Sequence, residues 1–220
     1  MRRFQEELDD LQRSLLEMAG MVEAAIHDSV RSLVERDEAM AQQVLRNEKD
    51  VNWMEIQIDE QATRLLALQQ PMARDLRFLT AAIKINNDLE RMGDLAVNVA
   101  ERSLSVMRLP PVKPLVDIPR MAALVETMVH NSLDAFVRRD GDLARQVLPA
   151  DDEVDGFKAA IYEELIHFMQ ADPSTIPCAV DLMFVAHNLE RIADHATNIA
   201  EDVIYLTQAA DVRHHGEMPG

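Results

Sequence analysis

Apolar side chains at Phe4, Leu8, Leu11, Leu15, Met18, Val22, Ile26, Val30 and Leu33 recur at intervals of three and four residues. This is the period of one helical face, and it predicts a first helix over about residues 4–36. Asp37 follows as an N-cap, because its carboxylate can accept from the free backbone N–H groups of the next helix. That second helix runs to about residue 69. Pro71 ends it, since proline lacks the N–H a helix interior needs and disfavours helix at the residue before it. A third helix resumes near Met72 and reaches about Met107. Residues 109–114, Leu-Pro-Pro-Val-Lys-Pro, hold three of the nine prolines, so no helix crosses them. Beyond them the order returns: a helix over about 118–139, an Asp140 cap, a helix to about 170, a break at Asp172-Pro173, and a last helix over about 174–209. The expected fold is all-α, a tandem pair of three-helix bundles built from six long helices. The first bundle takes residues 1–109 and the second 115–210, with a polar, flexible tail over 211–220.

The second half repeats the first. Residues 34–45 match residues 137–148 at seven of twelve positions with an offset of 103, and residues 89–101 match 189–201 at eight of thirteen with an offset of 100. The difference of three falls in the turn between the second and third helices, where insertion or deletion costs little. The chain is a duplication of one three-helix unit.

Composition narrows what such a unit does. Of 220 residues, 39 are acidic and 22 basic, a formal charge of −17. Nucleic-acid phosphates and anionic lipid both repel such a chain, which leaves cations, basic protein patches or further copies of itself as partners. With six glycines and few aromatic residues there is little material for strands and hairpins. A single cysteine, Cys178, excludes an intrachain disulfide and multi-cysteine zinc sites, and suits a reducing compartment, with the cytoplasm as the default. The N-terminus turns acidic before any apolar run, unlike a signal peptide, and no stretch approaches the roughly 20 apolar residues that span a bilayer.

The acidic excess is patterned. Glu90, Asp94, Asn98 and Glu101 recur as Glu190, Asp194, Asn198 and Glu201. At about 100° per residue each set falls within an arc of about 80°, opposite the apolar side of its helix. If the second and third helices are antiparallel about residue 71, Glu48 and Asn52 lie level with Glu90 and Asp94, and Glu55 and Asp59 continue their stripe. Asp151 and Asp155 lie level with Glu190 and Asp194 in the same way. Oxygen ligands paired one turn apart and facing another such pair are what a hard cation requires. The expected cofactor is a divalent or trivalent metal ion, iron, manganese, magnesium or zinc, with calcium also suited to oxygen donors. For one helix, a solvated face neutralised by Arg91 or Arg191 explains the same residues; for both, an acidic surface that recruits basic partners remains the alternative. Outward-facing stripes predict exposed sites rather than a sealed catalytic pocket.

Other chemistry finds less support. Glu164 and His167 have the Glu-x-x-His spacing of carboxylate-bridged di-iron bundles, but the first half has no counterpart. His187 and His195 flank the second acidic motif, and their equivalents are Asn87 and Leu95. No phosphate loop, nucleophile elbow or H-E-x-x-H motif occurs, so no enzyme is expected. Cys178 reads as a structural thiol, the methionines as packing residues, and Trp53 as an exposed aromatic off the apolar face.

At these motifs the chain resembles the PhoU family of phosphate-transport regulators. The resemblance rests on Met18-Ala19-Gly20-Met21-Val22-Glu23, Val51-Asn52-Trp53-Met54-Glu55, Ile58-Asp59-Glu60, Gln70-Pro71 with Asp75-Leu76-Arg77, and the paired Glu90-Arg91-Met92-Gly93-Asp94 and Glu190-Arg191-Ile192-Ala193-Asp194 segments. It implies two related three-helix bundles, dimerisation, and metal clusters at E/D-x-x-x-D motifs. By position these are Glu48 to Asn52, Glu90 to Asp94, Asp151 to Asp155 and Glu190 to Asp194, with Asn52 standing where the family has an acid. The resemblance further implies a cytoplasmic negative regulator of phosphate uptake and the phosphate-starvation response. Such a protein couples the ATPase of a phosphate ABC transporter to a phosphate-sensing histidine kinase, and reaches the inner membrane only through those partners. A ferritin-like metal enzyme and a metal-free helical scaffold are the rival readings.

Overall fold

The computed structural model describes residues 2–69 and 71–208; the tail over 211–220 and Gln70 lie outside the described residues. Among the described residues there is no strand, and the elements are α1 (Arg2–Glu35), α2 (Glu38–Gln69), α3 (Ala73–Met107), α4 (Asp117–Arg138), α5 (Gly141–Val147), α6 (Ala150–Ala171) and α7 (Ile176–Gln208), with a 3₁₀ turn at Pro173–Thr175 before α7.

The α1 stripe packs as its spacing predicts: Leu8, Leu11, Leu15, Met18, Val22, Ile26, Val30 and Leu33 are at most 5% exposed. Both anticipated caps form. Asp37 accepts from the Met40 N–H at 3.0 Å, and Asp140 from the N–H groups of Asp142 and Leu143 at 3.0 Å each. The residue before each cap, Arg36 and Arg139, is left-handed with φ of 55° and 54°. In both, the following N–H bonds back five residues, Asp37 to Ser32 O and Asp140 to Ala135 O at 2.9 Å, which closes the helix end in a Schellman turn. The duplication thus preserves backbone geometry as well as residues.

The expected single helix from Asp140 to about residue 170 is instead two, α5 and α6, interrupted at Leu148 and Pro149. Pro149 has no N–H to donate and its ring displaces the carbonyl four residues earlier, so the helix breaks although the apolar period continues through it. The six long helices expected are α1, α2, α3, α4, α6 and α7, and the second half carries the short α5 in addition.

The helices α3 and α7 pack against each other as the central pair, with α1 and α2 against α3, and α4, α5 and α6 against α7; α1 also meets α4. The central pair is antiparallel, since Lys84 Nζ lies 2.8 Å from Asp202 Oδ1 and Arg102 Nη1 lies 3.2 Å from Asp181 Oδ1. Buried apolar residues run continuously across both sets of helices. Phe78 of α3 stacks on Phe136 of α4 at 5.9 Å between centroids, within that shared core. The connection between α3 and α4 has no regular structure, and its Lys113 is ion-paired with Glu164 of α6. No helix among the described residues is long and apolar enough to cross a membrane.

Candidate metal-binding grooves

The register of α2 on α3 follows from two contacts. A Cβ on Gly93 would lie 3.3 Å from Val51 Cγ1, and Asn86 Nδ2 donates to Glu55 O at 2.9 Å. Glu48, Asn52 and Glu55 therefore flank the α3 turn that carries Glu90 and Asp94, as the antiparallel reading anticipated. All five are half-buried. The Glu90 carboxyl is held above its ordinary range, first by burial, then by repulsion from Asp94 and more weakly from Glu55, with Arg91 acting in the opposite direction. Among the described residues Arg91 neutralises this face: its Nε lies 3.4 Å from Glu90 Oε2 and its Nη1 3.6 Å from Asp94 Oδ2.

In the second half Asp151 and Asp155 of α6 face Glu190 and Asp194 of α7. Asp151 is pushed up by burial and then by Asp194, Asp155, Asp152 and Glu190. Asp194 is pushed up by burial and then by Glu190, against the lowering effect of Arg191 and His195. The structure thus brings the four predicted acids into one electrostatic group. Basic side chains sit inside it: Lys158 Nζ is 3.0 Å from Glu190 Oε1, His187 Nδ1 is 3.4 Å from Glu190 Oε2, and Arg191 Nε is 3.7 Å from Asp194 Oδ2. Glu190 Oε2 is nevertheless buried without a hydrogen bond. A buried carboxylate oxygen so placed favours a bound cation or water. Among the described residues no three His, Cys, Asp or Glu side chains converge closely enough to hold an ion by themselves.

The remaining predicted ligands lie elsewhere. Asn98 and Glu101 are exposed on α3. Asn198 Nδ2 points at Asp88 Oδ1 of the other half at 3.5 Å, and Glu201 lines a cavity of about 510 Å³ together with Glu55, Asp59, Lys84, Asp88 and Asp202. His195 belongs to that seam as well, 2.8 Å from Asp88 Oδ1. Of the seam residues, Lys84, Asp88 and Asp202 escaped the sequence reading because their partners are more than a hundred residues away and on non-equivalent positions: Lys84 corresponds to Phe184, and Asp202 to Arg102.

The di-iron arrangement does not assemble around Glu164 and His167. Glu164 pairs with Lys113, and His167 is exposed with Nδ1 2.9 Å from Glu163 O. Cys178 is buried, which raises its thiol pKa and keeps it a structural thiol. Trp53 is 60% exposed.

The model of the PhoU domain matches the chain twice, over residues 15–103 and 118–203. A Pseudomonas aeruginosa protein described as a phosphate-specific transport system accessory protein PhoU homolog is 40% identical over 216 residues, covering 98% of this chain and 89% of its own. A Caulobacter vibrioides protein of the same description is 41% identical, covering 91% of this chain and 87% of its own. The crystal structure of PhoU from Pseudomonas aeruginosa superposes with a TM-score of 0.91 over 94% of this chain and all of that one, at 40% identity. That of the phosphate transport system regulatory protein PhoU from Streptococcus pneumoniae gives 0.88 at 28% identity, over 96% of this chain and all of that one.

Proposed function

The chain belongs to the PhoU family, and from that premise we propose that it is an accessory regulator of a phosphate-specific transport system that represses phosphate uptake and the phosphate-starvation response when phosphate is plentiful. The observation that carries the reading is likeness along nearly the whole length to proteins described as accessory to phosphate-specific transport. In this role it acts in the cytoplasm, as a homodimer, between the transporter ATPase and a sensor histidine kinase, and carries out no catalysis itself. A large helical surface with two acidic grooves suits docking better than turnover.

The grooves are proposed to hold hard cations through carboxylate oxygens, with water completing the coordination shell. Support comes from the raised Asp151 and Asp194, the raised Glu90, and a Glu190 Oε2 that is buried without a hydrogen bond, with His187 Nδ1 3.4 Å away. A bound ion supplies positive charge where these carboxylates repel one another. The protein's own side chains set the rest: α2 with α3, and α6 with α7, fix the distance between the facing acids, while Arg91, Arg191 and Lys158 limit their charge when no ion is bound. Ion binding would thereby set the charge of the surface offered to partners.

The test is deletion of the encoding gene in the native organism, followed by measurement of phosphate-starvation transcripts in high phosphate. Derepression is expected; unchanged repression refutes the regulatory reading. For the grooves, manganese or magnesium titrated into chelator-treated protein should raise its melting temperature, and Asp151→Asn with Asp194→Asn should abolish the part of that rise due to the second groove.

A further inference from the structure

At the end of the helix array where α1 and α3 begin lies a cavity of about 480 Å³, lined by Arg74, Arg77 and Phe78 of α3, Arg139 at the end of α4, and Gln5 and Thr207. In a chain with 39 acids against 22 bases, clustered arginines should find carboxylates. Among the described residues, however, Arg74, Arg77 and Arg139 have no hydrogen bond or ion pair from their guanidiniums. Arg77 Nε is buried and orphaned. Guanidinium stays charged at any physiological pH, so this one buried N–H without an acceptor is a standing cost, while Arg74 and Arg139 are exposed at the mouth of the cavity. The Arg139 guanidinium rests 5.6 Å above the Phe78 ring, which in turn stacks on Phe136. Aromatic packing therefore holds it in place and leaves its N–H edges for another acceptor.

Two further features favour an anion here. The first turn of α3 has Met72 as its N-cap with no side-chain hydrogen bond, so its leading N–H groups lack a capping acceptor beside the arginines. Among the described residues, Asp75 is the only carboxylate lining the cavity, against three guanidiniums. The other polar groups are already engaged: Gln5 Nε2 donates to Asp9 and the Thr207 hydroxyl to Val203 O. The duplication does not repeat the cluster. Ser174 and Pro177 occupy the positions of Arg74 and Arg77, and Arg36, the counterpart of Arg139, donates to Met107 O at 2.6 Å.

We propose that this cavity is an oxyanion site that binds a phosphate group through Arg74, Arg77 and Arg139. Guanidinium forks match phosphate oxygens in pairs, and the volume leaves room beyond one orthophosphate. The free anion and the phosphate of a larger molecule present the same chemistry. The inference stands on the arginines and not on the regulatory reading, because anion binding by purified protein and transcript levels in a deletion strain are separate measurements.

Isothermal titration of the full chain with inorganic phosphate, pyrophosphate and sulfate, at matched ionic strength, tests it. Saturable binding of phosphate or pyrophosphate at one site per chain is expected. Tighter binding of pyrophosphate identifies a larger phosphorylated ligand, and equal or tighter binding of phosphate identifies the free anion. Arg77→Ala and Arg139→Ala should each weaken binding by about tenfold or more, whereas Arg120→Ala, at an exposed position on α4, should leave it unchanged. Exposed Arg74→Ala should show the same loss in a protein whose fold is unaffected. Absence of saturable binding, sulfate binding as tight as phosphate, or full affinity in the Arg74 and Arg139 variants overturns the proposal.

Discussion

The two acidic grooves occupy equivalent places on the duplicated scaffold, yet they carry opposite charges at the position that governs their behaviour without an ion. Glu55 of α2 and Lys158 of α6 correspond at the offset of 103. Glu55 adds to the repulsion on Glu90, whereas Lys158 lies 3.0 Å from Glu190. The second groove thus contains its own counter-cation, and the first relies on Arg91, whose side chain is 56% exposed. Duplication supplied two copies of one arrangement. Divergence left the first more dependent on an external cation and the second partly self-neutralised.

Reversing the internal charge should give the largest effect. Lys158→Glu places a further carboxylate beside Glu190 and removes its cation, in a setting where the two side chains are 25% and 16% exposed. In chelator-treated protein this should cost about 2 kcal/mol, between the values of surface and buried pairs. Urea unfolding measures it, and millimolar manganese should recover most of the loss. Glu55→Lys should act with opposite sign, stabilising the ion-free protein by up to about 1 kcal/mol while weakening the first groove for cations. Equal effects from the two substitutions would erase the distinction between the grooves.

Charge on the ligand set comes next in size. Asn52 offers a neutral oxygen where Asp155 offers a carboxylate. Asn52→Asp should tighten cation binding at the first groove by about tenfold, because affinity at oxygen sites follows ligand charge. Calorimetry with manganese on a background lacking Asp151 and Asp194 isolates that groove, and unchanged affinity there would show that Asn52 is not a ligand.

A smaller effect should appear in the pH dependence. Asp151, Asp194 and Glu90 all have carboxyls raised above their ordinary values by burial and neighbouring acids. A raised folded-state pKa means that the native protein binds the proton more tightly than the unfolded chain. The associated stability is present below the unfolded pKa and is lost as pH rises through the folded one. Ion-free protein should therefore lose stability from about pH 4 upward on account of these groups. Asp151→Asn and Asp194→Asn together should flatten that slope more than Glu90→Gln, two raised groups against one. Melting curves across this range, with chelator present, give the comparison, and identical slopes would place the repulsion elsewhere.

Much of this was legible from periodicity and spacing. The α1 stripe, the caps at Asp37 and Asp140, and the antiparallel register of α2 on α3 all follow from rules local to one helix or one antiparallel turn. The break at Pro149 was visible as a residue but masked by an apolar period that runs straight through Val147 and Val154. Asn198 and Glu201 share a wheel arc with Glu190 and Asp194, yet α3 lies close enough to draw Asn198 toward Asp88. Which neighbour a helix face meets depends on how the two halves dock, and no local rule reports that. The same holds for Arg74, Arg77 and Arg139, which the fold gathers from two helices of different halves.

The smallest expected effect concerns the spacing of the grooves themselves. Gly93 in α3 corresponds to Ala193 in α7, which is fully buried. A methyl at Gly93 would meet Val51 Cγ1 at 3.3 Å and Val22 Cγ2 at 3.9 Å, so the buried Val51 would have to shift by a few tenths of an ångström. Against that stands the helix propensity of alanine over glycine, about 1 kcal/mol in its favour. Gly93→Ala should therefore change stability by no more than about 0.5 kcal/mol, because the two contributions oppose each other. A double-mutant cycle separates them: Val51→Ala should cost less in the Gly93→Ala background than alone, with a coupling of about 0.5 kcal/mol or more. Additive effects would mean that α2 already stands off far enough to admit the methyl, and that the first groove is as wide at this level as the second.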